Sequence, residues 1–216
     1  MSAVPPITLA VLVSGSGTTL QNLIDQIADG RLNARIGVVI ASRGGIGALD
    51  RAAKSRLMNF VVEKSTCPTP ADFSKKIFSL CTDAGASLVC MAGWLSLVEI
   101  PPTFAGRVMN IHPALLPNFG GEGMYGPRVH QAVLNHGCKL SGCTVHFVDG
   151  QYDNGPIILQ RSCPVLEDDT AKSLALRIFQ EETIAYPQAI RLYHAGRLKI
   201  EGRRVRIAAE PASTGS

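Results

Sequence analysis

The segment Asn110-Ile111-His112-Pro113-Ala114-Leu115-Leu116-Pro117-Asn118 carries groups that can do chemistry together. So does Asp153, downstream in Val148-Asp149-Gly150-Gln151-Tyr152-Asp153-Asn154-Gly155-Pro156. An amide donor, an imidazole and a carboxylate suffice for an acyl-type transfer that uses no covalent nucleophile. The amide and the imidazole can hold an oxyanion, and the carboxylate can keep the imidazole charged. Asn110 and His112 are two apart in an extended segment, so they point to the same side. A lone Asn or His is usually structural. This pair, followed by stiffening prolines and joined by Asp153, reads as functional.

A second candidate is the turn Gly15-Ser16-Gly17-Thr18-Thr19-Leu20. A dinucleotide fingerprint needs a third glycine where Leu20 stands. It also needs an acid after the next strand, where this chain has Ser42-Arg43. Arg43 would suit a 2′-phosphate, which leaves an NADP enzyme as a minor alternative. The more general chemistry is a phosphate cradled by backbone N–H groups at a helix N-terminus. A turn that needs glycine only for its shape is the bland reading.

These groups require a scaffold. Ile7 to Ser14, Ile36 to Ala41, Asn59 to Val62 and Ser87 to Met91 read as strands, the longer runs as buried ones. Between them, helices are predicted from Leu20 to about Ala28, from the opening Gly44-Gly45-Ile46-Gly47 to about Ser55, and from Ala71 to Thr82. Thr18 or Thr19 could cap the first. Phe104 to Met109 reads as a strand that stops at Asn110, which would place Asn110 and His112 beyond its carboxyl end, where open α/β sheets bind ligands. Pro113 to Pro127 is a Gly- and Pro-rich functional loop. Arg128 to Asn135 is a helix, Gly142 to Val148 and Ile157 to Val165 are β-rich, and Asp168 or Asp169 starts a helix to about Ala195. Leu198 to Ile207, broken by Gly202, is a small solvated hairpin. The alternation of strand and helix predicts a parallel sheet with helices on both faces.

The 216 residues fit one domain that can bury a core without staples. The six cysteines lack C-x-x-C spacing, and Cys90 and Cys143 lie in apolar runs, as buried thiols of a reduced cytosol would. The expected location is cytoplasmic, with no leader and no membrane-spanning run. The net charge of +4 owes much to Arg197, Lys199, Arg203, Arg204 and Arg206. That cluster lacks the interleaved aromatics of a nucleic-acid platform. The five histidines form no i,i+4 pair, and no metal is expected.

Asn-Ile-His-Pro-Ala-Leu-Leu-Pro with the downstream Asp-x-Gly-Pro resembles the folate-dependent formyltransferases. The likeness runs from Leu9 in Leu9-Ala10-Val11-Leu12-Val13-Ser14-Gly15-Ser16-Gly17 to Tyr186-Pro187. Length and flanking motifs are most similar to the members that formylate glycinamide ribonucleotide. The resemblance implies a single-domain Rossmann-like α/β formyltransferase fold over residues 1–209, followed by a disordered tail at 210–216. It implies transfer from 10-formyltetrahydrofolate, a cosubstrate, to the amine of the ribonucleotide in purine biosynthesis. Partners would be small molecules, with no nucleic acid or membrane, and the protein a monomer or homodimer.

The resemblance also assigns roles. Asn110 and His112 would stabilise the tetrahedral intermediate, and Asp153 would hold the proton on His112 and order a proton-carrying water. Gly17, Thr18 and Thr19 would hold the ribonucleotide phosphate, with Pro113 beside it and Glu182 on the ribose hydroxyls. Trp94, Leu95, Ser96, Leu97 and Val98 would form an apolar slot for the pterin, with Asp149, Gly150, Gln151 and Tyr152 as its other wall. His130 matches a histidine near a mobile loop and is given no catalytic role. Thr19 stands where the family often has Asn, and Ser96 where it usually has Arg. Two other members are rivals. Formyltetrahydrofolate deformylase carries an extra N-terminal domain, whereas the first strand here begins at Ile7. Methionyl-tRNA formyltransferase carries a C-terminal barrel that 216 residues would not hold. A rival of another class is a silent folate- or nucleotide-binding protein, against which the retained Asn110, His112 and Asp153 argue.

Overall fold

The computed structural model describes residues 4–209. The tail predicted at 210–216 lies outside them. Nine strands form one sheet in the order β3-β2-β1-β4-β5-β6-β7-β9-β8. The strands β1 (Ile7–Val13), β2 (Ala34–Ala41), β3 (Asn59–Val61), β4 (Leu88–Met91) and β5 (Val108–His112) are mutually parallel. β6 (Leu140–Phe147) and β7 (Ile157–Pro164) continue the sheet antiparallel. The helices are α1 (Thr18–Ala28), α2 (Gly47–Lys54), α3 (Pro70–Asp83), α4 (Pro127–Asn135) and α5 (Ala171–His194).

Both faces of β1 are buried along its whole length, which is why the run reads as continuously apolar. Leu9, Val11 and Val13 enter one core with Leu20, Leu23, Ala48, Val133, Leu174 and Tyr186. Ala10 and Leu12 enter the other with Phe73, Ile77 and Cys81. The helices therefore cover both faces, but unevenly. α1, α2, α4 and α5 share one face, and α3 packs on the other. The chain leaves β1 toward β2 on one side and returns to β4 on the other. A crevice opens at such a switch point, beyond the carboxyl ends of the strands.

Several predicted boundaries move. The strand expected at Phe104 to Met109 begins only at Val108, because Pro102–Phe104 is a 3₁₀ turn and Gly106 has a left-handed φ of 66°. It continues through His112 because β6 pairs with it there. α1 is capped by neither threonine. Gly17 holds the cap position at φ 77°, and a Cβ there would meet the Ala48 backbone at 2.6 Å. α2 can pack on the turn only because that residue is glycine. α5 starts from Thr170 rather than Asp168 or Asp169, in a reciprocal cap with Ser173. Asp169 instead binds Arg177 at 2.5 Å. The C-terminal hairpin, β8 (Leu198–Glu201) and β9 (Arg204–Ile207), extends the sheet through the pair Ile157–Arg204.

Candidate active site

β5 carries the candidate residues Asn110 and His112. β4 pairs with it as far as Asn110, and Ile111 and His112 are then held only by β6. Asn110 and His112 share a strand face, and both reach Asp153 from the β6–β7 connection. His112 Nδ1 lies 3.3 Å from Asp153 Oδ2, which also accepts the Gly121 N–H at 3.0 Å. Asn110 Nδ2 donates to Asp153 Oδ1 at 3.3 Å. His146 Nε2 is 3.7 Å from the same oxygen and 3.2 Å from Asn110 Nδ2.

Burial by itself would raise the pKa of Asp153. The hydrogen bonds from His112 and His146, the His112 charge and the Gly121 N–H outweigh it and hold the carboxyl well below the usual carboxylate range. Asp153 is thus an anion at neutral pH. Its φ of 51° is an uncommon conformation outside glycine and costs about 1–3 kcal/mol. The donors around the carboxylate hold it there.

His112 is 4% exposed, and its Nε2 faces the Phe119 carbonyl at 2.8 Å. Both ring nitrogens therefore face acceptors. The covering segment is tight. A Cβ on Gly120 would meet Leu116 at 2.5 Å and Asp153 at 3.1 Å. A substrate oxygen arriving at Nε2 has to replace the Phe119 carbonyl. Catalytic hydrogen bonds commonly rearrange in this way when substrate binds.

A cavity of about 400 Å³ opens over this centre. It brings together Thr19, Trp94, Leu95, Asn110, His112, Pro113, Tyr152, Asp153 and Glu182. A narrower recess of about 50 Å³ adjoins it, lined by Trp94, Ser96, Leu97, Val98, Gln151 and Tyr152. The strip 94–98 and the loop before Asp153 thus face each other across a slot. The Leu97 N–H donates to the Tyr152 hydroxyl at 3.2 Å, which ties the two walls together. Trp94 stacks on Phe73 with centroids 6.0 Å apart, and its buried indole N–H has no protein acceptor. Asp149 and Gly150 line neither space. Asp149 shapes its own loop by accepting from the Gln151 N–H and from Asn154, each at 2.9 Å. Gly17 also lines neither, and Thr18 faces a third cavity beside the first.

Glu182 is placed from below. The Tyr186 hydroxyl, one turn later on α5, donates to the Met91 and Met109 carbonyls at 3.0 Å. That contact seats α5 against the end of β4 and the start of β5. Burial pushes the Glu182 carboxyl up to about 7, against the opposing charge of His112. A raised carboxylate pKa contributes stability fully present below the unfolded value, near 4.5, and lost as pH rises through about 7. The expected outcome is that the melting temperature of the wild type falls from about pH 5 to about pH 8 relative to Glu182→Gln, by on the order of 1–3 kcal/mol of stability. Parallel melting curves would place Glu182 in water instead.

His146 is the residue that sequence reasoning missed. It is 1% exposed and touches both Asn110 and Asp153. A search for helical i,i+4 pairs does not find it. The signal lies in the pairing of Asn110 with His146 across β5 and β6, and a register of that kind is not local in sequence.

Among the described residues, no cysteine lines the cavity over Asp153. Burial pushes the thiols of Cys81, Cys90 and Cys143 up to about 12. Among the described residues, no group of three His, Cys, Asp or Glu is placed to hold a metal, and no helix is long and apolar enough to cross a membrane.

Comparisons with known proteins find relatives over most of the chain. The chloroplastic phosphoribosylglycinamide formyltransferase of Arabidopsis thaliana is 35% identical, over 84% of this chain and 63% of its own length. A trifunctional purine biosynthetic protein adenosine-3 of Drosophila pseudoobscura pseudoobscura is 36% identical, over 92% of this chain but 14% of its own length. The chain thus spans less than two thirds of these curated relatives. The solved structure of glycinamide ribonucleotide transformylase 1 from Symbiobacterium toebii superposes with a TM-score of 0.87 at 42% identity, covering 94% of this chain and 95% of that one. Residues 7–190 match the family model described as formyl transferase, a span that holds Asn110, His112 and Asp153, and the chain belongs to that family.

Proposed function

We propose that this chain transfers a formyl group from 10-formyltetrahydrofolate to the amine of glycinamide ribonucleotide, the reaction named for its relatives and closest in kind to the site. The observation that carries the reading is the convergence of Asn110, His112 and His146 on the buried anion Asp153 at the floor of an open cavity. The substrate amine attacks the formyl carbon. Asn110 and His112 hold the oxygen that becomes negative, and electrostatic stabilisation of such an oxyanion is commonly the largest catalytic term. The bond to the folate nitrogen then breaks, that nitrogen gains a proton, and the amine proton leaves by way of Asp153 and its neighbours. The slot between Trp94–Val98 and Gln151–Tyr152 suits a flat pterin. Its Tyr152–Leu97 hydrogen bond has to open, because ligand sites ordinarily measure about 300–1,000 Å³. In this reading Glu182 meets the ribose hydroxyls, and Thr18 and Thr19 meet the phosphate.

We read residues 1–209 as one formyltransferase domain, acting in a reducing compartment such as the cytosol, on small molecules rather than nucleic acid or membrane. The six free thiols fit that environment. The decisive experiment is incubation with 10-formyltetrahydrofolate, with and without glycinamide ribonucleotide, while loss of the formyl group is followed. Turnover is expected only with the acceptor. Formyl loss at the same rate without it would make the protein a deformylase.

A further inference from the structure

The family match ends at residue 190, and the C-terminal hairpin of β8 and β9 lies beyond it. The hairpin is nonetheless docked on the scaffold of the site. Leu198 and Val205 pack against the core, and Ile200 lies over Gly106, where a Cβ would meet it at 3.5 Å, just ahead of β5. β9 joins the sheet at the pair of Arg204 with Ile157, the first residue of β7. Ile157 is also where the chain leaves the loop that carries Asp153. The hairpin turn at Gly202-Arg203 therefore lies beside that loop. Arg203 Nη2 donates to the Asn154 carbonyl at 2.9 Å, and Nη1 to the Asn154 side-chain oxygen at 3.4 Å. The Asn154 amide in turn donates to Asp149 Oδ2, and Asp149 Oδ1 accepts the Gln151 N–H, each at 2.9 Å. Arg203 has no ion pair among the described residues, so both of its hydrogen bonds go to the loop. An exposed arginine contact usually adds little stability. This one falls on the residue next to Asp153, whose φ of 51° has to be held in place.

We propose that the C-terminal hairpin braces the loop of Asp153, and that Arg203 is a positioning residue for Asp153 and Tyr152. The proposal rests on the reading of Asp153 as part of the reacting centre. The feet of the loop are held by the sheet. The Phe147 N–H donates to the Pro156 carbonyl and the Val148 N–H to the Val108 carbonyl, each at 2.9 Å. Between the feet, Asp149 ties the loop to itself and Arg203 ties it to the hairpin. Asp153 reaches inward to His112 and Asn110, and the Tyr152 hydroxyl accepts from Leu97. Asp153 and Asn154 are adjacent, so a shift of the Asn154 backbone carries Asp153 with it. A misplacement of about 1 Å from a change far from the chemistry can cost about 10²-fold in rate. Arginine suits the task because its rigid fork offers two donors to the two oxygens of one asparagine.

The test uses the full chain with Arg203→Met, Arg203→Lys and Arg206→Met. Arg206 lies on the same hairpin and pairs with Glu201, so it controls for the loss of one charge there. Arg203→Met is expected to lower kcat about tenfold and to raise the KM for the folate about threefold, with the ribonucleotide KM within about twofold. The two KM values separate because Tyr152 walls the slot for the pterin. Arg203→Lys keeps one donor for the Asn154 carbonyl and should recover most of kcat. Arg206→Met should stay within about twofold of the wild type in all three constants. Hydrogen exchange of the amides of residues 149–156, followed by mass spectrometry, should be faster in Arg203→Met and unchanged in Arg206→Met. Wild-type kcat in Arg203→Met, or equal losses in Arg203→Met and Arg206→Met, would overturn the proposal while leaving formyl transfer intact. If the wild type transfers no formyl group to the ribonucleotide, hydrogen exchange still decides. Faster exchange confined to Arg203→Met supports the brace, and equal exchange in Arg203→Met and the wild type refutes it.

Discussion

Asp153→Asn is expected to lower kcat by on the order of 10³-fold or more, as removal of a group that orients and charges a catalytic imidazole does in other enzymes. The hydrogen bonds around Asp153 are the reason to expect so large an effect from so small a change. Asp153 Oδ2 accepts from His112 and Gly121, and Oδ1 accepts from Asn110 and faces His146. An asparagine offers one acceptor oxygen and one NH₂ group, so one end of the new amide must face donors. Either His112 and the Gly121 N–H lose their shared acceptor, or Asn110 loses its own. The shape is kept, so the protein should still fold, with a loss of about 1–3 kcal/mol from the mispaired buried groups. The pH dependence should change as well. Because the pKa of Asp153 is depressed in the fold, its contribution is present above the usual carboxylate range and is lost as pH falls through that range and below it. The asparagine variant should lack that acid-side loss. Circular dichroism and kcat measured on the same preparation test the claim. Near-wild-type kcat in a folded variant would remove Asp153 from the mechanism.

Asn110→Ala and His112→Ala should each cost about 10²–10³-fold in kcat, the usual effect of removing one oxyanion donor. The double variant should cost clearly less than the product of the two. Both groups act on one charge and both are anchored to one carboxylate, and residues that work as a unit are not additive. In Asn110→Ala, His146 and Asp153 Oδ1 lose the amide between them, so the second loss begins from a centre already disordered. Single-turnover rates would separate chemistry from product release. Strictly multiplicative losses would mean that Asn110 and His112 act independently.

Much of this centre was legible in one sequence. The alternation of apolar runs with helical segments gave the sheet and its two covered faces, because a strand buried on both sides must be apolar throughout, as Ile7–Val13 is. Asn110, His112 and Asp153 stood out by residue type and spacing alone. A two-residue step on an extended segment fixes which side both face, and the structure puts both against Asp153. Strand and helix starts were less legible, because caps depend on packing. Gly17 displaced the threonines only because α2 leaves no room for a side chain.

What the sequence by itself determined was local: which residues could do chemistry, and which segments were apolar enough to hold them. What only the tertiary structure decided was what meets what across the sheet. Antiparallel pairing of β6 with β5 brought His146 to Asn110 and Asp153. Folding of the 118–121 segment put the Phe119 carbonyl on His112 and the Gly121 N–H on Asp153. The starts of α1, α4 and α5, far apart in the chain, meet around one cavity. Each of these is a contact between distant segments. Such contacts are set by strand register and helix packing, and no residue encodes either one alone.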